Sequence, residues 1–300
     1  MKLGIITDEI SQDLAHALDV AREIGCRGVE LRSMWEGGVA ELSPRRVKEV
    51  AALLEQRSLE CYNIAGPVFK CTLGSQREVR EHVDILKRCC EVAHGLGAPT
   101  VRADAPHVRA FTFWREPGVA LEAVWGRIVE QIARAADVAA DAELTLAVEN
   151  EYSVYVGGGA LLARLLGEVE AARGTGSNVR AIWDPQNALF DPDAEAPYPD
   201  GYEAIADRIA FCHIKDGTMT PEGPKMLPVG DGDAMLAELV ARLKRDGYAS
   251  YLSLETHWRP EEDMDVATVR LPGGATFSGP SAEAGSRLCM ANLQRLVGEA

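Results

Sequence analysis

The chain has 300 residues, of which 47% are hydrophobic and 26% charged, enough apolar material for one large core. Lys and Arg total 31 against 46 Asp and Glu, a net charge of −15 with His neutral. That balance argues against a nucleic-acid or anionic-membrane partner, which would need a basic surface, but not against a small anionic ligand held by a few local cations. No run approaches the ~18 apolar residues of a membrane span. The seven Cys include no CxxC pair, so the expectation is a soluble cytoplasmic protein with free, mostly buried thiols.

Strand-like runs alternate with helical ones from end to end. LGIIT (3–7) begins almost at once, leaving no room for a signal peptide. A helical stretch from Ser11 to Ile24 follows, with Leu14, Leu18, Ala21 and Ile24 at three- and four-residue spacing, Ser11 as N-cap and Gly25 as the stop. GVEL (28–31) is the second strand, and Ser43-Pro44 supplies cap and first-turn chemistry for the second helix. LECYNIA (59–65), a helix over 76–95, TVRA (100–103) and a helix over 117–142 come next. Strands near 144–149, 179–184, 209–214 and 250–255 complete the series, with helices near 159–172, 201–208, 233–246 and 281–298. Eight strand–helix units without a linker predict an α/β fold, a (β/α)8 TIM barrel, as a single domain over 1–300.

Three strand-to-helix connections are long: 104–116, 185–200 and 256–280. All follow C-terminal strand ends and gather at the mouth of the barrel, where such loops cover substrate or make subunit contacts. The first carries Phe111, Phe113, Trp114 and Arg115, suited to an apolar lid or to a neighbouring subunit of a homo-oligomer, a dimer or tetramer. His107 and His257 fall on these loops, whereas His16, His82 and His94 sit in helical patterns as surface or packing residues.

The last four strands each end on a residue that binds divalent metals: Glu149, Asp184, His213 and Glu255. Alternation puts Thr145, Ala147 and Glu149 on one face of the first and Tyr251, Ser253 and Glu255 on one face of the last. Any one of them has a bland structural explanation, but three carboxylates gathered at one mouth repel unless a cation joins them. Three carboxylates and one imidazole suit an octahedral ion with open positions, Mn²⁺ foremost, with Mg²⁺, Co²⁺, Fe²⁺ or Zn²⁺ as alternatives. Such an ion acidifies the C–H beside a chelated carbonyl, and Glu149 and Glu255 are placed to remove and return the proton. Around them, Lys70, Arg102, Glu151 and Lys215 are candidate substrate contacts, with Trp258 as a stacking surface for a sugar face.

The segments GIITDEI…GCRGVELR, LAVEN, WDPQN, FCHIKDG, VGDGD and YLSLETHW resemble the xylose isomerase-like TIM barrels known as sugar phosphate isomerases/epimerases, over nearly the whole length. The resemblance implies that Glu149, Asp184, His213 and Glu255 are metal ligands and that the first and last double as the acid/base pair. It implies an isomerase or epimerase acting on a sugar, keto-sugar or related polyol through an enediolate, with a dehydratase or lyase of the same fold as the alternative. Two positions depart from the epimerase pattern. Asn187 stands where many epimerases have His, and Lys215 takes the place of a nearby Arg. Some dehydratase-like and lyase-like relatives place a His where this chain has Glu151.

Overall fold

The computed structural model describes residues 1–97, 106–174, 178–260 and 275–300. Eight parallel strands close in chain order: β1 (Lys2–Ile6), β2 (Gly28–Leu31), β3 (Glu60–Val68), β4 (His107–Ala110), β5 (Thr145–Glu149), β6 (Val179–Trp183), β7 (Ile209–Ile214) and β8 (Tyr251–Leu254). Lys2 opposite Tyr251 begins the seam that joins first strand to last. The helices are α1 (Leu14–Glu23), α2 (Pro44–Arg57), α3 (Gln76–Gly95), α4 (Leu121–Asp141), α5 (Gly159–Arg173), α6 (Pro185–Phe190), α7 (Tyr202–Ile205), α8 (Leu236–Arg245) and α9 (Pro280–Glu299). The fold is the expected (β/α)8 barrel, and no helix among the described residues is long and apolar enough to cross a membrane. All seven cysteines are free and only Cys61 is not fully buried.

Helix starts follow side-chain capping. Ser43 accepts from Arg46 N ahead of Pro44, as the sequence implies. The first helix begins two residues later than expected, because Asp13 rather than Ser11 is the cap, accepting from Ala15 N and His16 N at 3.0 and 3.3 Å. Gly25 ends it at φ +86°, a conformation that costs a glycine little.

The fourth strand is the main correction. TVRA (100–103), and Arg102 with it, lie outside the described residues. The barrel's fourth position is taken by HVRA (107–110), within the stretch expected to be a connection. The two tetrapeptides share their apolar–basic alternation, so local pattern has nothing with which to choose between them. His107 consequently opens a strand instead of lying on a mouth loop. It pairs with Thr145 at the start of β5, and its Nδ1 lies 3.1 Å from Tyr62 O, at the end of the barrel away from the mouth.

Two other connections hold structure of their own. The 185–200 segment begins with α6, capped by Asp184. Between β7 and α8 a hairpin pairs Asp216–Thr220 with Gly223–Leu227, and the Asp216 carboxylate then gathers the N–H groups of Gly230, Gly232 and Ala234. Residues 261–274 of the third long connection lie outside the described residues.

Inside the barrel Tyr62, Ala147, Ile182, Phe211 and Tyr251 form a closed apolar layer. The rings of Tyr62 and Tyr251 stack with centroids 3.8 Å apart. Gly4 and Gly28 leave space for them, since a Cβ on either would stand within 2.8 Å of a tyrosine. Outside, Trp183 packs against the helices, as its strand parity predicts. The apolar layer shuts the barrel below the mouth, and Glu149, Asp184 and His213, two residues beyond Ala147, Ile182 and Phe211, lie on its mouth side.

Candidate metal centre

Each of the four strand-end residues keeps the parity read from the sequence: Ala147 and Glu149, Ile182 and Asp184, Phe211 and His213, Tyr251 and Glu255. Glu149, Asp184, His213 and Glu255 are all buried, with ligating atoms within 4.8 Å of one another. His213 Nδ1 is the imidazole atom that faces the carboxylates, at 3.1 Å from Glu149 Oε1, 3.3 Å from Glu255 Oε2 and 3.9 Å from Asp184 Oδ2. Its Nε2 is taken by Glu30 Oε1 at 3.0 Å. Asp184 Oδ2 is buried, with Lys215 Nζ 2.8 Å away. Three buried carboxylates and one imidazole nitrogen converging in this way are the donor set that fits a divalent ion.

Charge in the cluster is balanced internally. Lys215 Nζ sits 2.8 Å from Asp184 Oδ2 and 2.9 Å from Glu255 Oε2. Arg109 Nη1 donates to Glu149 Oε2 at 3.1 Å, and Arg32 Nη1 to Glu255 Oε1 at 2.6 Å. Burial alone would raise the Glu149 pKa, but His213 and Arg109 outweigh it and hold the group at about 2. Glu255 is likewise held well below the usual carboxylate range, against burial, by Lys215, His213 and His257. Asp184 goes the other way: burial outweighs Lys215 and His213 and raises it.

A second tier of side chains sets these positions. Glu30 accepts from Asn63 Nδ2 at 2.6 Å and from Ser253 Oγ, so His213 is anchored from the far side of the barrel. Outer carboxylates of this kind fix the orientation of a ligating imidazole, and their loss typically costs about 10–100-fold in metal affinity. Glu30→Ala is expected to weaken Mn²⁺ binding by about that factor in a calorimetric titration. Unchanged affinity would deny Glu30 the orienting role.

Asn150 ties the ends of β5 and β6 together. Its Oδ1 accepts from Asp184 N and its Nδ2 donates to Asp184 O and Gly157 O, each at 2.8 Å. Asn150→Ala leaves those buried backbone groups unpaired and is expected to cost about 1–3 kcal/mol in urea unfolding. Asp8 and Glu9, just past β1, clamp Arg32 at 3.0 and 2.6 Å, and Glu9 Oε1 also lies 2.9 Å from His257 Nδ1.

Glu9 titrates at about 2 against a usual value of 4.5, because His257 and Arg32 override its burial. With its folded pKa depressed, Glu9 contributes stability that is complete above about 4.5 and lost as pH falls towards 2. Urea midpoints should therefore drop across that window in the native chain and less steeply in Glu9→Gln, which is already weaker at pH 6. Parallel profiles would refute the assignment.

The other expected contacts divide. Lys70, Glu151, Asn187 and Lys215 line the pocket above the cluster, together with Arg32, Arg109, Phe111, Tyr152 and His257. Asn187 N donates to Asp184 Oδ1 at 2.9 Å and its Nδ2 approaches Glu149 Oε1 at 3.4 Å. Trp258 does not line the pocket; it packs beside Phe190 and Met226, and Phe111 and Tyr152 supply the aromatic wall in its place. Of the expected lid residues Phe111 lines the pocket, while Phe113 is buried against Phe69 and Arg115 Nη2 donates to Asp191 Oδ2 at 2.7 Å. The sequence reading missed Glu30, Arg32 and Arg109. Their signal was present as charged residues at alternate positions in the apolar runs GVELR and HVRA.

Residues 18–271 match the family model described as xylose isomerase-like TIM barrel. A comparison with curated protein sequences finds no significant match. Among solved structures, D-allulose 3-epimerase from Methylomonas sp. in complex with D-allulose is similar at 17% identity and TM-score 0.71, covering 100% of this chain and 97% of that one. The apo form of 3-keto-D-glucoside 4-epimerase from E. coli is similar at 15% identity and TM-score 0.68, covering 99% and 98%. A xylose isomerase-like TIM barrel protein from Mycobacterium smegmatis in complex with magnesium is similar at 17% and 0.65, covering 95% and 88%. At these identities the likeness is one of fold.

Proposed function

The chain belongs to the xylose isomerase-like TIM-barrel family, and on that premise we propose that it is a divalent-metal-dependent isomerase or epimerase of a sugar, keto-sugar or related polyol. The observation that carries this reading is the convergence of Glu149, Asp184, His213 Nδ1 and Glu255 at the barrel mouth, beneath a polar pocket. Glu149, Asp184, His213 and Glu255 would hold the ion, with Mn²⁺ the first choice for an oxygen-rich set. When bound, such an ion polarises a carbonyl and acidifies the neighbouring C–H. Glu149 and Glu255 are held as carboxylates, the form in which each accepts that proton, and both line the pocket. Lys215, Asn187 and Glu151 supply donors and an acceptor for substrate hydroxyls. The sugars named for two of the structural neighbours point to the same substrate class.

The test is incubation of the Mn²⁺-loaded protein with ketohexoses and 3-keto-glycosides in D₂O. Deuterium should enter the carbon beside the carbonyl without loss of water, and chelation should stop it. Exchange accompanied by loss of water would identify the dehydratase or lyase alternative, and no exchange into any substrate would refute proton transfer.

A further inference from the structure

One cation in the pocket is only loosely paired. Lys70 follows β3, and its side chain is 8% exposed. Its nearest carboxylate oxygen, Glu151 Oε2, is 3.8 Å away, beyond hydrogen-bond reach. Glu151 is already engaged by Ser153, whose N donates to Oε1 at 3.1 Å and whose Oγ donates to Oε2. Two aromatic rings also face it, with Nζ 4.5 Å from the Phe111 ring centroid and 5.6 Å from that of Trp114. Burial accordingly lowers the Lys70 pKa, with Glu151 and Glu149 opposing and Arg109 adding to the drop.

The backbone is shaped to put it there. Phe69 adopts φ +64°, a strained conformation for a residue with a side chain. It is held by a hydrogen bond from Phe69 N to His82 Nδ1 at 2.8 Å and by stacking on Phe113 at 4.6 Å. Arg109 shares the Phe111 ring, with its guanidinium carbon 4.8 Å from the centroid. Its Nη1 and Nη2 are committed to Glu149 and Ala65 O, but its Nε is buried with no partner. Two cations therefore stand over one aromatic ring in the pocket wall, one loosely paired and the other with a spare donor.

We propose that Lys70, supported by Arg109, receives a carboxylate, so that the substrate is an acidic sugar instead of a neutral one. A monoanion is favoured over a phosphate dianion. Among the described residues Lys70 is the loosely paired cation there, and Glu149, Glu151 and Glu255 leave little room for a second negative charge. The inference rests on the sugar reading above and adds the charge of the ligand to it.

The experiment is calorimetric titration of the Mg²⁺-loaded protein with D-gluconate, D-sorbitol and D-sorbitol 1-phosphate, which share a six-carbon polyol chain and differ only at C1. A charge-assisted hydrogen bond predicts that gluconate binds about 10–100-fold more tightly than sorbitol. Lys70→Met should erase that preference while sorbitol affinity stays put, and Lys70→Arg should keep most of it. A preference that survives in Lys70→Met comes from chelation by the metal and overturns the proposal, as does tighter binding of the phosphate ester. Equal binding of gluconate and sorbitol overturns it too, but leaves the sugar reading standing. Failure of all three probes to bind defeats both.

Discussion

Replacing His213 by glutamine is expected to weaken divalent-metal binding by more than the ~10–100-fold typical of an outer partner's loss. Glutamine still reaches Glu30, which now holds His213 Nε2 at 3.0 Å, but offers nothing at the Nδ1 position that faces Glu149, Asp184 and Glu255. The variant thus removes a metal donor while sparing the buried bond behind it. The readout is stability as well as affinity. At Mn²⁺ a hundredfold above the dissociation constant, the native chain gains about 2.7 kcal/mol, whereas a variant bound a hundredfold more weakly gains only about 0.4 kcal/mol. Both chains should fold without metal, because Lys215, Arg109 and Arg32 already face the carboxylates. If His213→Gln responded to Mn²⁺ like the native protein, the metal centre as assigned would be wrong.

Glu149→Gln and Glu255→Gln are each expected to lower kcat by about 10²–10⁴, the usual worth of a positioned general base. Each substitution keeps the shape and one oxygen donor, so part of the metal affinity should remain. The sharper readout is deuterium exchange measured separately from the two epimers of a substrate. With one carboxylate serving each face, Glu149→Gln should lose exchange from one epimer and keep it from the other, and Glu255→Gln should show the reverse. The double variant should lose both. Turnover at native rates in either single variant would remove that residue from the chemistry.

The legibility of the site differed between the two halves of the barrel. In the C-terminal half, each of four apolar runs ends on one ligand-type residue, and strand parity alone placed Glu149, Asp184, His213 and Glu255 on the inner face. In the N-terminal half the same rule applied to GVELR would have turned Glu30 and Arg32 inward. Their partners, His213 and Glu255, are 183 and 223 residues away, so no local pattern gives those charges a purpose. Arg109 was obscured for another reason, since TVRA and HVRA carry the same alternation seven residues apart.

What the sequence determined by itself was periodic: eight strand–helix units, the barrel they imply and the faces of its strands. Alternation is a property of the extended backbone and survives in any surroundings. What only the tertiary structure decided was which charges meet. Lys215 lies between Asp184 and Glu255, Glu30 backs His213, and Lys70 follows a strained Phe69 onto the ring of Phe111, 3.8 Å from the nearest oxygen of Glu151. Those pairings depend on closure of the barrel and on burial, which set distances between residues far apart in the chain and remove the water that would otherwise make such charges indifferent to one another.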